Sequence, residues 1–265
     1  MKEVLGVAIR LKSAREIELM RRAGKVVHAV LSRLGEMIEP GITTAELDAE
    51  AERLTHSFGA ECLFKGVPGR HGPFPGNICV SINDEVVHGI PSEKRIIRQG
   101  DVVSIDFGCR LNGYCGDAAR TYIVGGKASH DVHRLVNVTK EVLKIAKEMA
   151  KPGILWSTVA RAMQDYVEKH GFSVVKEFVG HGIGTEMHED PRVPNFVSKE
   201  LLKNDILLEE GLVIAVEPMV TMGSSDVIVA EDGWTVRTRD GKPAAHFEDT
   251  LAITSEGVQV LTNGN

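Results

Sequence analysis

The chain lacks the sequence features of secreted, membrane-spanning and disulfide-stabilised proteins. Its N-terminus, MKEVLGVAIRLKSAREIELM, has neither an apolar stretch of signal-peptide length nor a small-residue cleavage site. No segment approaches the roughly 18 consecutive apolar residues that a membrane-spanning helix needs. The four cysteines, Cys62, Cys79, Cys109 and Cys115, have no CxxC spacing. We therefore expect a cytoplasmic protein with free thiols.

Aromatic residues and excess charge are also scarce. Only 5% of the 265 residues are aromatic, and 31 basic against 37 acidic residues leave a net charge of −6. Such a small, scattered charge argues against a nucleic-acid or anionic-membrane surface. The hydrophobic fraction of 43% is enough for a sizeable core. We expect a globular protein that binds neither nucleic acid nor membrane.

Four helices are predicted from capping residues and apolar periodicity. Ser13-Ala-Arg-Glu16 and Thr43-Thr-Ala-Glu46 are capping boxes; they open helices over about residues 13–36 and from Thr43 to near Gly59. Ser129 begins a third helix that ends near residue 150, and STVARAMQDYVEKHG forms a fourth. The Gly- and Pro-rich segment 64–77 is predicted to be an irregular loop.

Strands are predicted between and after these helices. ICVSIND alternates as a strand does, DVVSIDFG and YCGDAARTYIV flank an Asn-Gly turn as a hairpin, and the C-terminal part is rich in strands. Helices and strands do not alternate one by one. This order favours an α+β protein with a sheet and helices on one face.

The sequence contains a weak internal repeat. EPGITTAELDAEAERLTHSFG and KPGILWSTVARAMQDYVEKHG both place Pro-Gly-Ile before a helix and a glycine 19 residues after the proline (59 − 40 and 171 − 152). Asp106 lies six residues after Gly100, and Glu217 lies six after Gly211. Either match alone would be common by chance. Their offsets of 112 and 111 residues favour two related halves, about 13–125 and 129–262, in a single domain over 1–265 that begins with a short extension, 1–12.

Carboxylates in apolar strands indicate a cation site. Asp106 and Asp117 lie on the predicted hairpin, and the repeat matches them with Glu217 and Glu248. Residues eleven apart on a hairpin can lie nearly opposite one another, where two buried carboxylates repel and cannot both stay ionised. Four carboxylates exceed the charge of one divalent ion, so a pair of metal ions is the economical arrangement.

Three histidines in glycine-containing segments add donors to this set. They are His88 in VVHGIP, and His181 and His188 in FVGHGIGTEMHEDP. Each acid or histidine alone has a structural alternative, as a strand-end cap, a solvated charge or a hydrogen-bonded core histidine. The combination has few structural uses and favours a metal site. HEDPR begins like the zinc motif HExxH, but Arg192 stands where the second histidine would be.

The motifs as a set resemble those of type I methionine aminopeptidases. They are HGIP at 88–91, the Asp106 and Asp117 pair, GHGIG at 180–184, MHEDP at 187–191, VEP at 216–218 and HFEDT at 246–250, and the match runs from about residue 12 to 262. The resemblance implies the pita-bread fold, in which two pseudo-twofold-related halves form a curved antiparallel sheet with helices on its outer face. It also implies a metal-dependent hydrolase that removes the N-terminal methionine when the second residue is small.

The resemblance assigns roles to particular positions. The ligands of two divalent ions (cobalt, manganese, iron or zinc) would be Asp106, Asp117, His181, Glu217 and Glu248, with Asp117 and Glu248 bridging. A water or hydroxide held between the metals would attack the scissile carbonyl, with Glu217 moving its proton and His88 and His188 contacting the substrate. The methionine side chain would bind among Cys62, Phe74, Cys79, Phe178 and Trp234.

The resemblance also implies partners and leaves alternatives open. The substrates would be nascent polypeptide N-termini, at the ribosome or after release, and we expect a monomer. One alternative within the same fold is an aminopeptidase or prolidase specific for Xaa-Pro bonds. A non-catalytic homologue that only binds peptides or proteins is another, although all five expected ligands are present.

Overall fold

Five helices and fifteen strands form the described part of the chain. A computed structural model describes residues 9–264, so residues 1–8 of the N-terminal extension and residue 265 lie outside the description. The helices are α1 Ala14–Met37, α2 Thr44–Ser57, α3 His130–Met149, α4 Trp156–Lys169 and α5 Lys199–Lys203. The strands are β1 Glu61–Cys62, β2 Cys79–Ile82, β3 Glu85–Val87, β4 Val102–Leu111, β5 Tyr114–Ile123, β6 Ser173–Val174, β7 Gly180–Gly182, β8 Glu189–Val193, β9 Val213–Val216, β10 Met219–Thr221, β11 Val227–Val229, β12 Val236–Thr238, β13 Ala244–His246, β14 Glu248–Thr254 and β15 Gly257–Val260.

The long helices begin where the sequence predicts. The side chains of Ser13 and Thr43 each accept a hydrogen bond from the backbone N–H three residues on, and the carboxylates of Glu16 and Glu46 accept one from the backbone N–H of the cap residue, so both capping boxes are present. Ser129 caps α3 by accepting a bond from the N–H of Val132. Segment 64–77 contains no strand or helix, as predicted.

The hairpin β4–β5 is the longest strand pair in the described sheet. Asn112 and Gly113 form its turn with φ of 52° and 83°. Both residues tolerate the left-handed conformation that a two-residue hairpin turn with the twist of the strands requires. The local sequence therefore determines the hairpin register, in which Gly108 pairs with Asp117 and Asp106 with Ala119.

The hairpin is part of a curved antiparallel sheet. Within residues 9–264 its nine strands run in the order β1-β4-β5-β14-β9-β7-β8, with β2 paired to β4 and β15 to β14. On one face α1 and α2 bury residues such as Leu34 and Leu47 against Ile105 and Phe107 of β4. On the same face of the other half, α3 and α4 pack on β9 and β14. The opposite face carries Asp106 of β4, Asp117 of β5 and Glu248 of β14.

The two halves repeat their architecture at a constant offset. Both bounds of α4 lie 112 residues after those of α2 (156 − 44 and 169 − 57). The isolated bridge from Thr43 to Ile96 recurs as Leu155 to Leu207, at offsets of 112 and 111. Where the halves meet, Ala118 of β5 pairs with Asp249 of β14. This arrangement agrees with the pita-bread fold expected from the sequence motifs.

Two further observations concern the cysteines and the apolar length of the helices. All four cysteines are free thiols, three of them buried and Cys62 half-buried. Among the described residues, no helix is both long and apolar enough to cross a membrane.

Candidate metal centre and substrate cavity

Strand register brings the four predicted acids to the face of the sheet opposite the helices. Asp106 pairs with Ala119, and Ala119 pairs on its other side with Glu248, so these three side chains point to one face. Asp117 lies two residues before Ala119 and shares that face. It is therefore diagonal to Asp106, close to the nearly opposite placement that the spacing along the hairpin suggested. Glu217 directly follows β9, the strand that pairs with β14.

The acids are buried without the partners that buried carboxylates require. Asp106 Oδ1, Asp117 Oδ1 and Glu248 Oε1 are buried and receive no hydrogen bond from any residue between 9 and 264. One ligand atom each from Asp117, His181 and Glu248 lies within 4.8 Å of the other two. Unpartnered carboxylate oxygens beside an imidazole nitrogen are the donor set of a divalent transition-metal site. The residues present therefore fit the metal that the sequence predicts.

Burial and mutual repulsion perturb the acids strongly. Burial raises the pKa of Asp106 to about 7. Burial and the charge of Asp106 raise the pKa of Glu217 well above its ordinary value. The pKa values of Asp117 and Glu248 are raised for the same reasons. Without a cation this cluster cannot be fully ionised near neutral pH.

His181 presents a free ring nitrogen to this cluster. Its Nδ1 lies 2.9 Å from the carbonyl oxygen of Gly182. A carbonyl only accepts, so Nδ1 carries the proton and Nε2 keeps its lone pair. Nε2 lies 3.7 Å from Asp117 Oδ2 and 3.7 Å from Glu217 Oε1. Burial, with the neighbouring His188, lowers the pKa of His181 to about 4, so the ring is neutral and able to coordinate a metal.

Two further histidines stand outside the carboxylates. The His188 ring lies 4.4 Å from that of His181, centroid to centroid. His88 has φ of 60°, a conformation that residues other than glycine rarely adopt and that is concentrated at functional sites. Burial, with His188, lowers the pKa of His88 to about 4. Both neutral rings line the cavity above the acids and can donate or accept a hydrogen bond there.

An apolar cavity of about 520 Å³ opens onto the same cluster. Phe64, Phe74 and Cys79 are buried in its wall, with Met187 and Trp234 half-buried beside them. The Phe74 and Trp234 rings meet edge to face at 5.1 Å. Trp234 Nε1 donates to the carbonyl of Gly72 at 3.2 Å, which ties the 64–77 loop to the cavity wall. Aromatic and sulfur-containing side chains suit an unbranched thioether.

The structure places two predicted pocket residues elsewhere. Cys62 pairs with Cys109 on β4, so its side chain points to the helix-covered face and packs there with the core under α1 and α2. The prediction that it lines the methionine cavity is wrong, because strand alternation turns it away. Phe178 lies beside His88, with ring centroids 5.4 Å apart, and lines an adjoining cavity of about 470 Å³ that also reaches Glu217.

Sequence reasoning missed three residues of this region. Phe64 and Met187 line the apolar cavity, and the fully buried His246 has its Nε2 3.9 Å from Glu248 Oε2. Period-two alternation from Glu248 would have placed His246 on the same face. No local pattern identifies Phe64 or Met187, because each joins the cavity through long-range packing.

Comparison with known proteins identifies the family. Residues 18–255 match the sequence profile of metallopeptidase family M24. The chain therefore belongs to this family of metallopeptidases and is a hydrolase. Within the family it groups with the methionine aminopeptidases: methionine aminopeptidase 1 of Bacillus subtilis is 47% identical over 95% of this chain and 98% of that protein. The methionine aminopeptidase of Aquifex aeolicus is 43% identical over 97% of this chain and 99% of that protein.

Solved structures agree with this assignment. The crystal structure of methionine aminopeptidase from Thermotoga maritima has a TM-score of 0.90 and 41% identity, and the match covers 97% of this chain and all (100%) of that one. Prolidase from Pyrococcus furiosus shares the fold with a TM-score of 0.73 and 26% identity, over 96% of this chain and 66% of that one. The resemblance, fold class and enzyme class expected from the sequence are confirmed.

Proposed function

We propose that this protein removes the N-terminal methionine from nascent polypeptides and peptides whose second residue is small. The observation that carries the proposal is the position of the apolar cavity. It is lined by Phe64, Phe74, Cys79 and Trp234 and opens onto the carboxylates and His181. A methionine side chain bound among these four side chains would have its own amide beside the buried acids.

We further propose that two divalent ions bind in this cluster. Their ligands would be Asp106, Asp117, His181, Glu217 and Glu248, with Asp117 and Glu248 shared between the ions. The unpartnered oxygens of Asp106, Asp117 and Glu248 support this assignment. Divalent ions, when bound, lower the pKa of a water ligand and stabilise negative charge on a carbonyl oxygen. The carboxylate-rich set accepts cobalt, manganese, iron or zinc.

The chain's own residues then supply proton transfer and orientation. Glu217 has a raised pKa and lies at the junction of both cavities, so its carboxylate can take a proton from the attacking water and deliver it to the leaving amide nitrogen. Neutral His188 and His88 can hydrogen-bond the scissile amide without competing charge. A free terminal amine could coordinate a divalent ion held in this cluster, whereas an acylated one could not, which would make the protein an exopeptidase.

We place the reaction on nascent chains in the cytoplasm, at the ribosome or after release, with the protein acting as a monomer. The methionine aminopeptidases it resembles are named for this cleavage. Specificity for the second residue would come from the adjoining cavity that Phe178 and His88 line.

The test is peptide hydrolysis by protein stripped of metal and then reloaded with each candidate ion. Release of methionine is expected from Met-Ala, much less from Met-Leu, and not from acetyl-Met-Ala or before reloading. An Ala-Pro peptide tests the alternative specificity of the prolidases that share the fold. If the fully loaded protein cuts Ala-Pro and leaves Met-Ala intact, the proposal is wrong.

A further inference from the structure

The two halves of the sheet meet along β5 and β14. Between residues 9 and 264 this seam has two register pairs, Ala118 with Asp249 and Ala119 with Glu248. Asp117 immediately precedes the paired residues of β5, and Glu248 is itself paired. Both proposed bridging carboxylates therefore depend on the geometry of this short ladder.

At one end of this seam, the hydroxyl of a threonine on β14 takes the place of the next backbone pair of hydrogen bonds. Thr250 Oγ1 donates to the carbonyl oxygen of Asp117 at 2.9 Å and accepts from the N–H of Asp117 at 3.1 Å. Thr250 is fully buried. One side-chain oxygen thus satisfies both backbone groups of Asp117, where a regular ladder would use two backbone groups of the facing strand. The hydroxyl therefore holds the Asp117 backbone against β14.

The other end of the seam repeats this device. Thr121 Oγ1 donates to the carbonyl oxygen of His246 at 2.6 Å and accepts from the N–H of His246 at 3.0 Å. Ser104 Oγ lies 2.8 Å away and supplies the remaining hydrogen bond. A hydroxyl has one donor and two acceptor positions, so all the bonding capacity of Thr121 is used. His246 stands two residues before Glu248 on the same face of the chain.

We propose that Thr250 and Thr121 are positioning residues that set the separation of Asp117 and Glu248 and thereby the affinity and geometry of the metal site. Each hydroxyl holds both backbone groups of the strand across the seam, so it fixes the distance between the halves and the orientation of the peptide units involved. Thr250 acts on Asp117 directly. Thr121 acts on Glu248 through His246. The inference rests on the ligand roles proposed above for the two acids.

A purely structural role for these hydroxyls makes a different prediction. If they only satisfied buried backbone groups, their loss would lower stability but leave metal binding unchanged. Thr139 provides a matched control, because it is fully buried and its hydroxyl also bonds a backbone carbonyl, that of Leu135 at 2.8 Å, but it lies within α3. Valine keeps the shape of threonine and removes the hydroxyl, whereas serine keeps the hydroxyl.

The experiment is titration of metal-free protein with cobalt(II), which reports both affinity and the visible absorption spectrum. Thr250→Val and Thr121→Val are expected to weaken binding about tenfold or more and to change the spectrum, since residues that orient metal ligands typically contribute about 10- to 100-fold. Thr250→Ser and Thr139→Val should bind like the wild type. Circular dichroism establishes that each variant is folded.

Two outcomes would overturn the inference. One is wild-type cobalt affinity and spectrum in folded Thr250→Val and Thr121→Val. The other is an equal loss of affinity in Thr139→Val. If Thr250→Val does not fold, Thr121→Val and Thr250→Ser decide the question. The titration needs no peptide substrate, so a failure of the proposed methionine-releasing activity would be recognised separately.

Discussion

Replacing Asp106 with asparagine should stabilise the metal-free protein at alkaline pH while it removes metal binding. Burial raises the pKa of Asp106 to about 7 from an ordinary value of 3.8. At a pH between these two pKa values, Asp106 has already lost its carboxyl proton in the unfolded chain but still holds it in the folded protein. Raising the pH through this window therefore favours unfolding, and the full cost is present above pH of about 7.

The size of the effect follows from the width of this window. Each unit of pH inside it costs the folded metal-free protein about 1.4 kcal/mol. From about pH 5.5 to the pKa of about 7, the wild type should lose about 2 kcal/mol of unfolding free energy relative to Asp106→Asn. The charge of Asp106 also raises the pKa values of Asp117 and Glu217, so its removal acts on them in the same direction. Comparing two pH values cancels any constant effect of the asparagine amide.

The assay is urea unfolding of both metal-free proteins at about pH 5.5 and about pH 8, repeated with excess metal. An ion at 100 times its dissociation constant adds about 2.7 kcal/mol to a protein that binds it. We expect most of this gain in the wild type and little of it in Asp106→Asn, which should also retain little metal after dialysis.

Asp249→Asn is the matched control. Asp249 is also buried, and burial alone would raise its pKa, but Arg120 and Lys147 outweigh burial and hold the pKa below its usual range. Its removal should destabilise the protein by an amount that does not vary between these two pH values. The reasoning is refuted if the gap between wild type and Asp106→Asn does not widen with pH, or if metal stabilises both equally.

Three other predictions test the pocket, a helix cap and the core. Phe64→Ala should raise KM for Met-Ala with a smaller change in kcat, because Phe64 lines the cavity. Cys62→Ala should leave KM and kcat near wild type, because Cys62 faces away from the cavity. A raised KM in Cys62→Ala with wild-type kinetics in Phe64→Ala would show instead that Cys62 lines the pocket. Hydrogen bonds from the Ser13 backbone and side chain lower the pKa of Glu16 to about 2. The ionised Glu16 carboxylate therefore stabilises the folded protein fully above 4.5, its pKa in the unfolded chain, and this stabilisation is lost as the pH falls towards 2. Urea unfolding should show the gap between wild type and Glu16→Gln shrinking from about pH 5 to about pH 3, and a constant gap would contradict the capping role. Met163→Ala, at a fully buried position of α4, should lower the free energy of unfolding by about 2 to 5 kcal/mol, and a loss below about 1 kcal/mol would show that the core closes around the cavity.

The elements predicted from sequence are those that depend on neighbouring residues. Capping boxes at Ser13 and Thr43 begin helices within one residue of the predicted position, because the cap and the N–H groups it satisfies lie within one turn. Asn112 and Gly113 define the hairpin turn because few other residues adopt its conformation. The constant offset of about 112 residues between repeated helices also survives in the structure.

The proposed ligands could be chosen from sequence because isolated acids in apolar strands conflict with burial. That conflict is visible without coordinates, and the motifs around His181, Glu217 and Glu248 supplied the family. What the sequence could not supply is which side chains share a cavity. Cys62 has a suitable chemistry but the wrong strand face, whereas Met187 reaches the cavity from a turn remote in sequence.

By itself, then, the sequence determined the helix starts, the hairpin, the repeat and the chemical identity of the acids and histidines. Only the tertiary structure decided that Glu248 joins Asp106 and Asp117 on one face, that Phe64 and Met187 line the cavity, and that threonine hydroxyls join the halves at β5 and β14. The physical reason is the range of the interactions involved. Caps and turns are satisfied within a few residues, whereas the pairing of β5 with β14 and the cavity walls depend on contacts between residues more than a hundred positions apart.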